Sequence, residues 1–209
     1  MRYIQTPVFK FSELSDKAKA RAREWYRQGA LDYEWYDAVY EDAATIADIL
    51  GIDLRTRKYT FQNGTVKHNG TNIGFSGFWS QGDGAHFEGT YKYAKGAPKA
   101  IKKHAPKDAE LLRIAEALQK IQSQYFYKLA ATVKHRGHYQ HENCTDILVY
   151  HTDDYRDVPE DDIIELLRDF MRWIYSQLEK EHDCLNSDEQ VDEAIQANEY
   201  EFTENGKLI

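Results

Sequence analysis

The sequence predicts an α+β fold: an antiparallel sheet, built from a meander and a hairpin, packed with about five helices in a single domain covering residues 1–209. Three observations carry this. Hydrophobic residues make up 42% of the chain and aromatic residues 13%, enough for a core and far above what a disordered segment holds. Strand-like segments come in runs joined by turn signals, and do not alternate singly with helices as in a doubly wound fold. The remaining segments carry apolar residues at helical spacing, with recognisable caps.

Residues 3–11 mix apolar and polar positions and read as a first strand, with Pro7 favouring an edge. Ser15 is the expected N-cap of a helix on which Leu14, Ala18, Ala22 and Trp25 share a face, and Asp16 suits its first turn. A second helix over 33–50 aligns Trp35, Val39, Ala43, Ile46 and Leu50 and stops at Gly51. Residues 52–62 alternate, are rich in Thr, Tyr and Phe, and read as a strand. Asn63-Gly64 signals a hairpin, and Asn69-Gly70 brackets a short strand. Segments 71–79 and 86–94 read as two more strands, joined by residues 80–85. Gly96, Pro98 and Pro106 punctuate a short basic helix or turn. Leu111, Ile114, Leu118 and Ile121 mark a helix over 108–124, and 125–139 with 143–151 read as a hairpin turning near Gly137 to Asn143. Pro159 opens a long helix carrying Ile163, Leu166, Phe170, Trp173 and Leu178. Ser187 caps a last helix over 188–198, followed by a final strand at 199–203.

Charge is uneven. The net charge is −8, yet residues 92–136 hold 11 Lys+Arg against 3 Asp+Glu, while residues 153–204 hold 18 Asp+Glu against 4 Lys+Arg. Such bipolarity fits solvated helical faces, an acidic face for a basic partner, or a basic face for phosphate. The acidic balance argues against general duplex DNA binding. Apolar runs are far shorter than the roughly 20 residues of a membrane helix. No basic-then-apolar leader opens the chain, and Cys144 and Cys184 are too few for a disulfide framework, so the expected setting is the cytoplasm.

Three groups of residues could carry chemistry. In segment 74–91, Gly74, Gly77, Gly82, Gly84 and Gly89 are threaded with Phe75, Phe78, Trp79, Phe87 and Tyr91. This reads either as a tight loop over buried aromatics or as a contact loop, with Ser76, Trp79, Ser80, Gln81, Asp83, His86 and Tyr91 as the partner- or ligand-binding residues. Its backbone N–H groups could form an anion nest, although the glycine spacing is neither Rossmann nor Walker. His135, His138, Glu142 and Asp146, on one predicted hairpin, are metal-ligand types, but strand positions three apart face opposite ways. Lys92, Lys95 and His104 lie in a stretch of lysines mixed with tyrosines that suits phosphate, a nucleotide or single-stranded nucleic acid. No nucleophile-elbow motif is present, and Ser76 or Ser80 near Asp83 and His86, like Cys144 near His141, rests on adjacency in sequence alone, so no catalytic residue is assigned.

Four blocks give the chain a resemblance. They are Phe11-Ser12-Glu13-Leu14-Ser15-Asp16 with Ala18, the segment Gly74 to Gly89, His135-Arg136-Gly137-His138-Tyr139, and Asp169-Phe170-Met171-Arg172-Trp173. With them it resembles phage and prophage proteins commonly labelled antitoxin-like, of toxin–antitoxin stability systems. The resemblance covers most of the chain and implies a phage or mobile-element setting and the cytoplasm of the host cell.

The expected function is a non-enzymatic binding protein that neutralises a toxin or a host defence component, with a protein partner and no cofactor. The alternative is a nucleotide-binding sponge or a metal-dependent phosphoesterase using the glycine-rich loop and the histidine hairpin. A homo-oligomer stays open.

Overall fold

The computed structural model describes residues 7–60, 66–153 and 157–209. The protein is α+β, with every strand pair among the described residues antiparallel. Its contacts divide the chain into two compact units, Met1–Asp37 with Glu179–Ile209, and Ala38–Leu178.

The first unit is closed by the two ends of the chain. Strand β1 (Phe9–Lys10) pairs with β10 (Glu201–Phe202), so the first and last predicted strands are partners. Helix α1 (Asp16–Arg27) starts where expected: the Ser15 side chain accepts from the Ala18 amide. Helix α6 (Asp188–Ala197) is capped in the same way by Ser187. Phe11, Leu14, Ala18, Ala22, Val191, Ile195 and Phe202 form the core of this unit. Arg23 and Arg27 of α1 hold Asp188 and Asp192 of α6, so these acids of the C-terminal quarter serve packing and are not a free acidic face.

The second unit holds most of the secondary structure. Helix α2 (Asp37–Leu50) begins later than the spacing predicts and buries Ala43, Ile46, Ala47 and Leu50. Then come β2 (Ile52–Leu54), β3 (Thr56–Thr60), β4 (Val66–Thr71), β5 (Ile73–Ser76), β6 (Gly84–Phe87) and β7 (Gly89–Lys92). Helices α3 (Ala97–His104) and α4 (Ala109–Gln124), the hairpin β8 (Leu129–His135) and β9 (Thr145–His151), and helix α5 (Glu160–Leu185), whose residues from Glu179 onward fall in the first unit, follow. One sheet runs β2-β7-β8-β9, and β3-β4 and β5-β6 are separate two-stranded ribbons. On α5, Ile163, Leu166, Phe170, Trp173 and Leu178 are all buried, as the helical spacing requires.

Two predicted strands are each broken into two. The break falls at Arg55 in the first and at Glu88 in the second, and both have a tertiary cause. The Arg55 amide donates to Glu88 O at 2.8 Å, the Asn72 amide to Arg55 O at 2.6 Å, and the Glu88 amide to Asn72 O at 3.1 Å. This ring of three backbone bonds is where the chain leaves the main sheet for the ribbons and returns. The second Asn-Gly pair is also different from its expectation. Asn69 and Gly70 lie inside β4, not at a turn; pairing steps from Thr56↔Thr71 to Arg57↔Asn69, and Gly70, at φ 66°, is the extra residue of a β-bulge. Asn63-Gly64 lies outside the described residues.

Candidate functional site

The glycine–aromatic segment forms β5, a tip at residues 77–83, and β6. Asp83 builds the tip. Its Oδ2 accepts from the Trp79 amide at 3.1 Å and the Ser80 amide at 2.7 Å, and its own amide donates to Ser80 O at 3.1 Å. A Cβ on Gly77 would stand 2.5 Å from that carboxylate, which is why glycine is needed there. Behind the tip, the Tyr175 hydroxyl donates to Gly77 O at 3.0 Å, and the Phe78 ring lies between those of Phe75 and Tyr175, at centroid distances of 6.0 and 5.5 Å.

The tip and the β8–β9 turn come together, although they are some 60 residues apart in the chain. A Cβ on Gly82 would meet the Tyr139 ring at 3.2 Å, and one on Gly84 would meet His141 at 3.0 Å. The His86 ring stacks on that of His135, centroids 3.8 Å apart and 16° from parallel. Trp79 is 82% exposed and Tyr139 60% exposed, and Ser80 and Gln81 are exposed between them. The arrangement is a pinned backbone presenting two aromatic rings to solvent.

Several expected site residues have other work. The Trp79 and Ser80 amides, the best part of the anion nest, already bind the carboxylate of Asp83, which stands where a phosphate oxygen would. His86 is 5% exposed and Tyr91 1% exposed, so neither meets a partner at the surface. Both point inward because β6 is buried along its length and Tyr91 lies on the core face of β7. The Tyr91 hydroxyl accepts from Gln122 Nε2 at 3.2 Å, and burial pushes its phenol up to about 12 against that bond. Ser76 is half-buried at the end of β5.

The four proposed metal ligands are not brought together. His135 Nε2 donates to Tyr139 O at 3.0 Å. His138 sets its ring edge-on to that of Tyr139. Glu142, nearly buried, lies 3.3 Å from Arg172 and 3.0 Å from His141 Nδ1. Asp146 pairs with Arg136 at 2.7 Å. Among the described residues no three His, Cys, Asp or Glu side chains are grouped as a metal would need. The phosphate-binding alternative also disperses. His104 pairs with Asp42 at 2.8 Å, while Lys92 and Lys95 are exposed at the end of β7 and beyond it. The side chains described against the tip are instead Tyr139, His141 and Tyr175.

Two residues outside the expected set hold the site's frame. Glu88 accepts from the His135 amide at 3.1 Å, pairs with Arg55 at 3.3 Å and accepts from the Asn72 side chain, so one carboxylate ties the strand junction to the histidine hairpin. Gln122 is fully buried on the apolar face of α4, where Ile121 was expected. The spacing Leu111, Ile114, Ala115, Leu118, Gln122 carried that signal; the polar identity of the last residue concealed it.

Fold and tip together define an α+β protein with a hydrogen-bonded, aromatic-bearing loop. The chain belongs to the family described as a domain of unknown function (DUF8835), which it matches over residues 35–188, a stretch that contains the whole of the second unit. No curated protein and no solved structure matches it. No helix among the described residues is long and apolar enough to cross a membrane.

Proposed function

We propose that this is a non-enzymatic binding protein whose contact element is the tip at residues 77–83 with Tyr139 beside it. The observation that carries the reading is Trp79, 82% exposed on a backbone whose amide is held by Asp83. Trp and Tyr supply a large share of the energy of protein interfaces. A loop already fixed in shape loses little entropy when a partner docks. The partner class is a protein. The resemblance of the Gly74–Gly89 block to antitoxin-like phage proteins supplies the setting, in which the protein occludes a toxin or a host defence component. Occupied tip amides and a dispersed histidine hairpin favour this over the nucleotide sponge or metal-dependent phosphoesterase.

The test is site-specific. With a photo-crosslinking amino acid at position 79, the protein should trap one defined host protein; with the same group at exposed Glu116 it should not. Replacing Trp79 and Tyr139 together by Ala should weaken that complex by at least about tenfold. Unchanged capture by the double variant rejects the tip as the contact element.

A further inference from the structure

In a chain of net charge −8, residues 92–107 hold six lysines and no acid. Lys92 ends β7, Lys95 follows it, Lys99, Lys102 and Lys103 lie on α3, and Lys107 lies beyond. All six are exposed. Helix α3 buries Ala97 and Ile101, while Lys99, Lys102 and Lys103, three and four positions apart, share another face. Six arginines elsewhere in the molecule, Arg23, Arg27, Arg55, Arg113, Arg136 and Arg172, form ion pairs with acids. Among the described residues none of these six lysines does; within the segment only His104 meets an acid, Asp42.

A second observation adjoins this one. Between α4 and β8 the chain turns through Phe126 and Tyr127, both left-handed, at φ 54° and 63°. Bulky side chains rarely adopt that conformation, which glycine or asparagine takes at little cost. The chain instead holds two aromatic residues there, with Phe126 73% exposed and Tyr127 48% exposed. Tyr127 packs on Tyr93, with ring centroids 4.4 Å apart, and Tyr93 stands between Lys92 and Lys95. The strained aromatic turn and the start of the lysine segment are therefore one surface.

We propose that this surface binds single-stranded nucleic acid, with lysines of the 92–107 segment on its phosphates and Phe126 and Tyr127 stacked on its bases. Unmatched cations on an acidic protein call for a polyanion. Exposed aromatic rings among those cations select one whose bases are unstacked and free to lie on them, which neither a duplex nor an acidic protein provides. The surface is distinct from the Trp79 tip.

Fluorescence anisotropy tests this with a labelled single strand of about 12 nucleotides, the matching duplex and polyglutamate as a competitor. The single strand should bind, the duplex should bind at least about tenfold more weakly, and polyglutamate should not displace the strand. Affinity should fall with salt at a log–log slope of about −3, for roughly four phosphates neutralised. The triple variant Lys99→Glu, Lys102→Glu, Lys103→Glu should lose binding. Phe126→Gly removes the ring and relieves the backbone at once, so its melting temperature should hold or rise while affinity falls about tenfold. No binding of the single strand at low salt, equal binding of the duplex, displacement by polyglutamate, or unchanged affinity of Phe126→Gly would each overturn the proposal.

Discussion

Gln122→Leu tests whether one buried amide stands in for a missing strand residue. The pairing of β7 with β8 runs from Gly89↔Val133 to Lys92↔Ala130, so the next partner of Leu129 would be Tyr93, but β7 has ended. The Gln122 side chain takes its place. Its Nε2 donates to Leu129 O at 2.8 Å and its Oε1 accepts from the Leu129 amide at 3.2 Å. Leu129 is 1% exposed, so water cannot replace these bonds. Each backbone group left unsatisfied costs about 1–3 kcal/mol, and the leucine also forfeits the bond from Nε2 to the buried Tyr91 hydroxyl, three bonds in all. A loss of about 3 kcal/mol corresponds to a drop of roughly 6–12 °C in melting temperature for a chain of this size. Thermal unfolding followed by circular dichroism measures it, and hydrogen exchange at the Leu129 amide localises it. A variant that melts within about 1 °C of the wild type, with that amide still protected, would refute the surrogate-strand reasoning.

Other expectations follow from the same kind of argument. Tyr91 has its folded-state pKa raised to about 12, above the ordinary value of 10.0, so the stability this gives is complete below about pH 10 and lost as pH rises through 12. Comparing urea unfolding of the wild type and Tyr91→Phe across that window should show about 2–3 kcal/mol more pH dependence in the wild type; parallel curves would count against it. Phe202→Ala should cost about 3–5 kcal/mol, since the ring is fully buried against Phe11 and Trp25 in the first unit, and an unshifted urea midpoint would contradict that packing. Asp83→Ala should leave the melting temperature nearly unchanged, because the bonds it breaks are exposed, but hydrogen exchange at the Trp79 and Ser80 amides should accelerate at least about tenfold. Gly89→Ala should disrupt the β2–β7 pairing, because its Cβ would collide with the backbone carbonyl of Asp53; intact hydrogen-exchange protection across Ile52–Leu54 would disprove this.

The exposed ring of Trp79 and the basic stretch from Lys92 to Lys107 were both legible as sequence: a Trp in a glycine-dense loop, and six lysines with no acid. What those glycines pack against was not. Tyr139 and His141 reach the tip from the β8–β9 turn, and Tyr175 reaches it from α5. His86 and Tyr91 looked like surface residues only because strand alternation leaves open which face is buried.

By itself the sequence determined the helices, their caps at Ser15 and Ser187, the α+β class and the bipolar charge, because spacing, capping and charge are local properties of neighbouring residues. Tertiary structure alone decided where strands break, which strands pair, and which histidines meet. The ring of bonds among Arg55, Asn72 and Glu88 splits two strands that read as continuous, and the Gln122 amide extends a sheet that the chain had left. Both follow from the same requirement: a buried backbone group takes whatever partner the fold brings to it, and sequence proximity does not specify that partner.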